Sequence, residues 1–283
     1  MKPIILLDSN FVAHYVRHKI TFLQYDGKPT NVIYGFLKEI MALSSENSRF
    51  VFAWDSRQSI RRAKYPLYKN KEGMTETTPI EKKVEEQDYE QFRTLQNEVL
   101  PAMGFRNVFM ATGHEGDDII ASVCQSYPDD EIKIVSADND LWQLITENVS
   151  MYNLKSKKTI TAKSFAEEWG IDPQQWATVK QMAGCATDKV HGVPKVGNKT
   201  AVKYILGTLP KHHKTYEAIE SKMGQDIIEE NEFLVVLPLV GTPEFKLRDD
   251  AFRKDRITKV FEKYGFGSFL AQDTKWFRRL GAK

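Results

Sequence analysis

Five acidic residues lie in two short stretches of the sequence, about twenty residues apart. They are Glu115, Asp117, Asp118, Asp138 and Asp140. Each group occurs where a hydrophobic strand is expected to lead into a helix. Crowded carboxylates repel each other at such a place unless a cation holds them together. The pattern therefore predicts a metal site.

Two further carboxylates follow apolar runs that read as buried strands, namely Asp8 and Asp55. The four predicted strands cover residues 3–7, 50–54, 105–110 and 132–137. Helical patterns alternate with them, including helices over 31–43 and 80–103. This alternation predicts an α/β sandwich with a mainly parallel sheet. Ligands of such sheets bind beyond the carboxyl ends of the strands, so all four strands should deliver acidic side chains to one edge.

An all-oxygen site without clustered histidines or thiols favours Mg²⁺ or Mn²⁺ over Zn²⁺. Because one magnesium ion uses only one or two carboxylates, this number of acids suggests two ions about 4 Å apart, as in phosphodiester hydrolysis. The alternative for any single aspartate is a helix cap or a turn residue. Glu115 or Asp118 could likewise favour the dipole of the following helix. Joint occurrence at four strand ends is harder to explain as capping.

Two segments have the composition of nucleic-acid contacts. Residues 56–84 contain eight basic and three acidic side chains, interleaved with Tyr65 and Tyr68, which suits a single strand. A solvated loop over packed tyrosines explains them equally well. Residues 180–203 contain five lysines and one acid. There the turn from Gly192 to Gly197 precedes a helix and should expose backbone N–H groups to a phosphate.

Composition places the chain among ordinary globular proteins. It has 283 residues, of which 41% are hydrophobic and 28% charged, and its net charge is +2. No apolar run approaches the roughly 20 residues of a membrane span, and the N-terminus lacks the features of a secretory signal. The two cysteines, Cys124 and Cys185, are too few for a disulfide framework. We therefore expect a soluble, cytoplasmic protein with reduced thiols.

Taken in order, these motifs resemble the 5′-nuclease family of flap endonucleases and 5′→3′ exonucleases. The resemblance is carried by Asp8, Phe52–Asp55, Tyr68–Lys69, Glu115–Asp118, Ser136–Leu144 and Gly192–Ala201. It implies a PIN-like, mainly parallel α/β domain over 1–161 with a helical arch over 56–103. It also implies a helical DNA-binding region over 162–283, with a helix-three-turn-helix hairpin over 184–201.

The resemblance also implies roles for individual residues. The expected ligands of two divalent ions are Asp8, Asp55, Glu115, Asp117, Asp118, Asp138, Asp140 and Asp188. The expected catalytic side chains are Lys69, Tyr68 and Arg62. The expected DNA contacts are Gly192, Val193, Lys195, Gly197, Lys199, Thr200 and Lys203, with a K⁺ ion at the 190–197 hairpin.

The chain departs from the family pattern at the second metal site and in the arch. Cys185 stands where the family usually has aspartate, and Lys189 where it has asparagine, so second-site affinity should fall. Glu72 replaces a usual arginine, so stabilisation of developing charge is either weaker or supplied by Arg57, Arg61 or Arg62. Lys195 replaces a common hairpin glycine and adds a charge directed at phosphate.

We therefore expect a stand-alone, Mg²⁺-dependent, structure-specific 5′-nuclease that cleaves DNA at 5′ flaps or 5′ ends in replication or repair, with Mn²⁺ able to substitute. Its chain length fits a phage or bacterial enzyme that acts as a monomer, with replication proteins as further partners and no membrane. Two alternatives remain open: a catalytically weakened relative that only binds branched DNA, and a PIN-type ribonuclease.

Overall fold

A computed structural model of the chain describes residues 3–45, 48–70 and 78–283. One six-stranded sheet is the centre of the fold, in the order β5-β4-β1-β6-β7-β8. Its strands are β1 (Ile4–Asp8), β4 (Arg49–Trp54), β5 (Val108–Met110), β6 (Ile132–Val135), β7 (Val149–Asn153) and β8 (Lys158–Ile160). Four short strands form two small ribbons: β2 (Gln24–Tyr25), β3 (Lys28–Pro29), β9 (Gly184–Cys185) and β10 (Val190–His191).

Helices cover both faces of the sheet and form the region after it. The first group is α1 (Ser9–Lys19), α2 (Asn31–Leu43), α3 (Ile60–Lys64), α4 (Pro79–Thr94), α5 (Leu100–Met103) and α6 (Gly116–Ser126). The second is α7 (Ala162–Trp169), α8 (Trp176–Ala183), α9 (Asn198–Ile205), α10 (Lys214–Glu220), α11 (Lys222–Val235), α12 (Lys254–Lys263), α13 (Gly267–Leu270) and α14 (Asp273–Leu280).

The sheet confirms the predicted fold class. Strands β5, β4, β1, β6 and β7 run parallel, and only the edge strand β8 is antiparallel. The four predicted strands are neighbours, so their carboxyl ends meet at one edge. β1 lies between β4 and β6, and its residues Ile4, Leu6 and Leu7 are fully buried. A strand buried on both faces needs this unbroken apolar run.

Several predicted elements have different bounds or types in the structure. The helix over 31–43 is confirmed as α2. The predicted helix over 80–103 is a continuous helical segment in which a π-helical stretch, Leu95–Val99, joins α4 to α5. The third strand begins only at Val108, and the helix expected after Asp138 is a 3₁₀-helix, Asn139–Leu144.

The C-terminal helices do not belong with the helical region that precedes them. Phe261, Phe269 and Trp276 are buried in the same apolar cluster as Phe36 and Phe52. The predicted region over 162–283 is therefore divided. Its first part, through α11, has a core of its own around Trp176, whereas α12–α14 complete the core against the sheet.

Part of the predicted arch falls outside the described residues. The arch over 56–103 is described except for residues 71–77, so Glu72 is not placed. Within the described residues, no helix is long and apolar enough to span a membrane.

Candidate metal centre and nucleic-acid surface

The acidic edge is the set of predicted carboxylates at the strand ends, together with the turn after α8. Its members are Asp8, Asp55, Glu115, Asp117, Asp138, Asp140 and Asp188. Asp8 ends β1, and its Oδ1 accepts from the N–H of Phe11, which caps α1. Asp55 directly follows β4, and its Oδ1 accepts from the N–H of Gly116 at 2.7 Å. Asp8 and Asp55 thus accept hydrogen bonds from the N-terminal turns of helices and also lie at the carboxyl end of the sheet.

Burial, together with repulsion between neighbouring carboxylates, raises the pKa values of several members of the acidic edge. Burial, followed by the charge of Asp55, raises the pKa of Asp8 to about 7. Burial and the charge of Asp138 raise the pKa of Asp117 well above its usual value. Burial raises the pKa of Asp188 to about 6, although Lys69 opposes the shift. Carboxylates that resist ionisation in this way would be relieved by a divalent cation.

Glu115 is held by side chains from the base of the predicted arch. Tyr68 donates its hydroxyl to Glu115 Oε2 at 3.0 Å, and Lys69 donates its ammonium to the same oxygen at 2.7 Å. Ser59 donates to Oε1 at 3.3 Å. Burial alone would lower the pKa of Lys69, but the charges of Glu115 and Asp188 outweigh burial and raise it. Lys69 therefore stays charged at the acidic edge.

Lys69 also connects the arch base to the turn that carries Asp188. Its backbone N–H donates to the carbonyl of Asp188 at 2.9 Å, and its Nζ lies 3.7 Å from Asp188 Oδ2. The φ angle of Lys69 is +49°, in the left-handed region that few non-glycine residues adopt. Contacts on both sides thus fix a strained residue between two parts of the site.

Asp118 corrects the sequence-based expectation. Its carboxylate is fully buried and forms a two-pronged ion pair with the Arg61 guanidinium, at 2.7 and 2.8 Å. It also accepts from the backbone N–H groups of Glu115 and Leu239. Because these four bonds occupy both oxygens, Asp118 stabilises the start of α6 and is not available as a metal ligand. For Asp118, the structure therefore agrees with the alternative given above, in which this carboxylate stabilises the N-terminus of the following helix.

The arginines expected to assist catalysis are placed differently from Lys69. Arg61 is buried in the pair with Asp118, so it cannot contact a substrate. Arg62 is exposed, and its guanidinium donates to the carbonyl of Lys69 at 3.4 Å. Arg57 is also exposed and lines a cavity of about 730 Å³ next to Asp55. Of the predicted catalytic side chains, Lys69 and Tyr68 lie at the acidic edge, and Arg62 lies outside it.

The second half of the acidic edge brings a thiol into the site. Asp140, Cys185 and Asp188 each offer a ligand atom, and these atoms lie within 4.8 Å of one another. Among the described residues, this is the one group of acidic, histidine or cysteine side chains that is so compact. Cys185 does not leave a gap there, since its sulfur lies where a ligand atom would be expected.

Sequence reasoning missed two supporting residues. Lys180 of α8 is buried, and its Nζ lies 2.8 Å from Asp140 Oδ1 and 3.4 Å from Asn139 Oδ1. Ser136 donates to Asp8 Oδ2 at 2.8 Å and accepts from the N–H of Asp138. The sequence signal for Lys180 was its position between two apolar residues, Val179 and Met182, both of which are buried in the structure. Nothing in the sequence distinguished Ser136 from an ordinary turn residue.

The predicted DNA-binding hairpin is a small ribbon, a turn and a helix. β9 pairs with β10, and the turn over 192–197 leads into α9, whose N-cap is Gly197. Lys195, Lys199 and Lys203 are exposed along this turn and helix, and Thr200 is half-buried. Lys195 adopts a φ of +64°, as a turn at this position requires. Three exposed lysines thus lie near the N-terminus of α9, an end of a helix that favours anions.

Two of the predicted hairpin contacts have packing roles instead. The side chain of Val193 is 2% exposed and belongs to the core around Trp176, so it does not face DNA. Gly192 lies against the end of α8, where an added Cβ would be only 2.2 Å from the Ala183 carbonyl oxygen. Both residues hold the turn in place, whereas the lysines point away from it.

The chain is similar in sequence to known proteins of one family. A family model described as the 5′-3′ exonuclease N-terminal resolvase-like domain matches residues 3–170. A 5′-3′ exonuclease of Buchnera aphidicola is 28% identical over 229 aligned positions, which cover 77% of this chain and 75% of that protein. DNA polymerase I of Mycobacterium bovis is 29% identical, covering 94% of this chain and 31% of the polymerase. The chain thus spans about a third of the length of that relative.

Solved structures match at the level of the fold. The D15 protein of bacteriophage T5, co-crystallised with metal ions, has a TM-score of 0.70 at 19% identity, covering 94% of this chain and 99% of that one. A complex of the same flap endonuclease with DNA and metal ions has a TM-score of 0.69 at 19% identity, with coverages of 94% and 98%.

Proposed function

Because the chain belongs to the 5′-3′ exonuclease family, a family of nucleases, we propose that it hydrolyses phosphodiester bonds of DNA at 5′ ends and 5′ flaps. The single observation that carries the proposal is the acidic edge itself. Acidic side chains from the ends of three neighbouring parallel strands and from three helical segments converge there, next to a charged lysine.

The donor set of the first half of the acidic edge fits a hard divalent ion such as Mg²⁺ or Mn²⁺. Asp8, Asp55, Glu115 and Asp117 offer only carboxylate oxygens, the ligands such ions prefer. A second ion would be held by Asp138, Asp140 and Asp188. When bound, two such ions supply an activated water and charge stabilisation at the leaving oxygen.

Neighbouring side chains orient the carboxylates of the acidic edge and place a positive charge beside them. Tyr68 and Lys69 hold Glu115 in place through the hydrogen bonds to Oε2. Lys69 keeps its positive charge and lies between Glu115 and Asp188, where it can pair with a substrate phosphate. Ser136 fixes Asp8 and Asp138 relative to each other. The edge is thereby organised before substrate arrives.

The hairpin and its lysines supply a surface for duplex DNA. Lys195, Lys199 and Lys203 would pair with backbone phosphates and so fix register without reading sequence. The T5 flap endonuclease with a similar fold was solved with DNA and metal ions. A K⁺ ion at residues 190–197, monomeric state and contacts with replication proteins remain parts of the proposal.

The first prediction tests cleavage with a matched pair of variants. Asp138→Asn removes a charge at the acidic edge, and Asp172→Asn removes one at another N-cap, on the exposed surface of the helical region. Both asparagines can still cap, so both proteins should fold. With a 5′-labelled flap duplex and Mg²⁺, Asp138→Asn should lose activity by at least about 100-fold and still bind DNA, since one charged group at the reacting centre supplies that much.

Asp172→Asn should cleave like the unchanged protein. Absence of cleavage by the unchanged protein, with DNA binding intact, would favour the catalytically weakened DNA-binding relative. Faster cleavage of the same flap made of RNA would favour the PIN-type ribonuclease.

A further inference from the structure

The second half of the acidic edge has a donor set unlike that of the first half. Asp140 comes from the 3₁₀-helix after β6, Cys185 from β9 and Asp188 from the 3₁₀-helix Ala186–Asp188. Three separate elements thus bring two carboxylates and one sulfur to within 4.8 Å. Cys185 and Asp188 belong to one turn, and the tertiary fold brings Asp140 to them from a distant part of the sequence.

The Cys185 side chain forms no disulfide and packs partly against a small apolar cluster that includes Val190 and Leu234. It is a free thiol, half-buried, whose contact with a neighbouring polar group is the Thr187 hydroxyl at 3.0 Å. The other cysteine, Cys124, is buried in the apolar core beside the sheet, so it cannot form a disulfide with it. The Cys185 thiol is therefore accessible to an ion in the site.

We propose that the Cys185 thiolate is itself a metal ligand, together with Asp140 and Asp188, and that this site selects a borderline ion such as Zn²⁺ or Co²⁺ over Mg²⁺. The inference rests on the proposed function, which places a second metal ion here. A thiolate is a soft ligand that Mg²⁺ binds poorly and Zn²⁺ binds well. Binding of such an ion deprotonates the thiol outright.

Geometry and charge are compatible with this assignment. In a tetrahedral site with bonds of about 2.0–2.3 Å, ligand atoms lie about 3.5 Å apart. Side chains now within 4.8 Å would have to close by only about 1 Å. Three protein ligands leave a fourth position open, as in catalytic zinc sites. Two carboxylates and a thiolate also carry as much negative charge as the three carboxylates expected from the family pattern. In the metal-free protein Lys180 and Lys69 pair with Asp140 and Asp188 at 2.8 and 3.7 Å, so a bound ion would replace these ion pairs.

The test is an optical titration of the full-length protein with Co²⁺, without DNA. A cobalt–thiolate bond produces a charge-transfer absorption band, which carboxylate ligands do not produce. We expect the band in the unchanged protein and in Cys124→Ser, which alters the other thiol. It should be absent in Cys185→Ser and Cys185→Asp. Co²⁺ binding to the variants is followed by calorimetry, which does not need the thiolate band. Half-saturation of Cys185→Ser should require roughly tenfold more Co²⁺ or higher, a loss typical of a weakened metal site.

Competition with Mg²⁺ tests the selectivity separately. Excess Mg²⁺ should displace Co²⁺ from Cys185→Asp at lower concentrations than from the unchanged protein. Co²⁺ binding without a thiolate band, or a band that persists in Cys185→Ser, would overturn the inference. Equal displacement by Mg²⁺ in both proteins would overturn the selectivity. Because none of these readouts needs DNA, they are independent of whether flap cleavage is observed.

Discussion

At the scale of single residues, the ionised carboxylate of Asp8 lowers the stability of the folded, metal-free protein. Its pKa is raised from 3.8 to about 7, so the folded state holds the proton more tightly than the unfolded state. The stability that protonated Asp8 contributes is therefore fully present below about pH 4 and is lost as the pH rises through about 7. The metal-free protein should thus become less stable over this range.

Asp8→Asn tests this sign directly. Asparagine keeps the cap of α1 but carries no charge. In EDTA above pH 7, we expect its free energy of unfolding by urea to exceed that of the unchanged protein by on the order of 2 kcal/mol. Saturating Mg²⁺ should remove or reverse the difference. The exposed Asp129→Asn is the control, and a lower stability of Asp8→Asn in EDTA would contradict the argument.

The same scale shows what the sequence could not specify. Strand-end spacing was enough to predict Asp8 and Asp55 at one edge, because parallel strands share their direction. It could not tell that Asp118 turns away from that edge, since its partner Arg61 lies 57 residues earlier in the chain. Nor could it place the Cys185 sulfur beside Asp140, because their proximity depends on how α8 packs against the 3₁₀-helix after β6.

At the scale of elements, the turn between β10 and α9 depends on close backbone approach. Gly192→Ala would place a methyl group against the carbonyl group of Ala183, whereas Gly197→Ala meets no atom within 4 Å. We expect Gly192→Ala to lower the free energy of unfolding by about 1–3 kcal/mol, as overpacking does. Gly197→Ala should cost less than about 1 kcal/mol, through a poorer N-cap.

Duplex-DNA affinity provides the functional readout for this pair. Under conditions where both variants are folded, Gly192→Ala should bind a blunt duplex more weakly, since the lysines of α9 are displaced with the turn. Gly197→Ala should bind like the unchanged protein. Equal binding by the two variants would mean that this turn does not support the DNA surface.

The apolar periodicity of the sequence predicts helices, but it does not predict which other elements those helices pack against. Apolar spacing was sufficient for α2 because that helix packs one face on the sheet. The spacing in α12–α14 is equally clear, yet periodicity gives no information about which core a helix joins. The predicted boundary at residue 161 therefore separated Trp276 from the domain whose core it completes.

At the scale of the whole molecule, the C-terminal helices support the catalytic sheet. Trp276 is 1% exposed, and its ring centroid lies 5.2 Å from those of Phe261 and Phe269. Trp276→Ala should lower the free energy of unfolding by about 3–5 kcal/mol, the usual cost of deleting a buried tryptophan. Val240→Ala, at a position 94% exposed, is the control.

Cleavage by Trp276→Ala should be nearly normal at low temperature and fail as the protein unfolds, since the residue does not touch the acidic edge. Thermal unfolding followed by circular dichroism, beside flap cleavage at each temperature, measures both effects. An unfolding temperature equal to that of the control would show that these helices are dispensable for the fold.

The backbone hydrogen bond from Lys69 to Asp188 has a thermodynamic consequence for the whole molecule. It joins the segment proposed to contact a single strand to the turn that carries Asp188, a proposed metal ligand. If DNA draws the arch base into one arrangement, it also selects the matching arrangement of the turn. By linkage, DNA and the second ion must then change each other's affinity by the same factor. The order in which they arrive makes no difference to that factor.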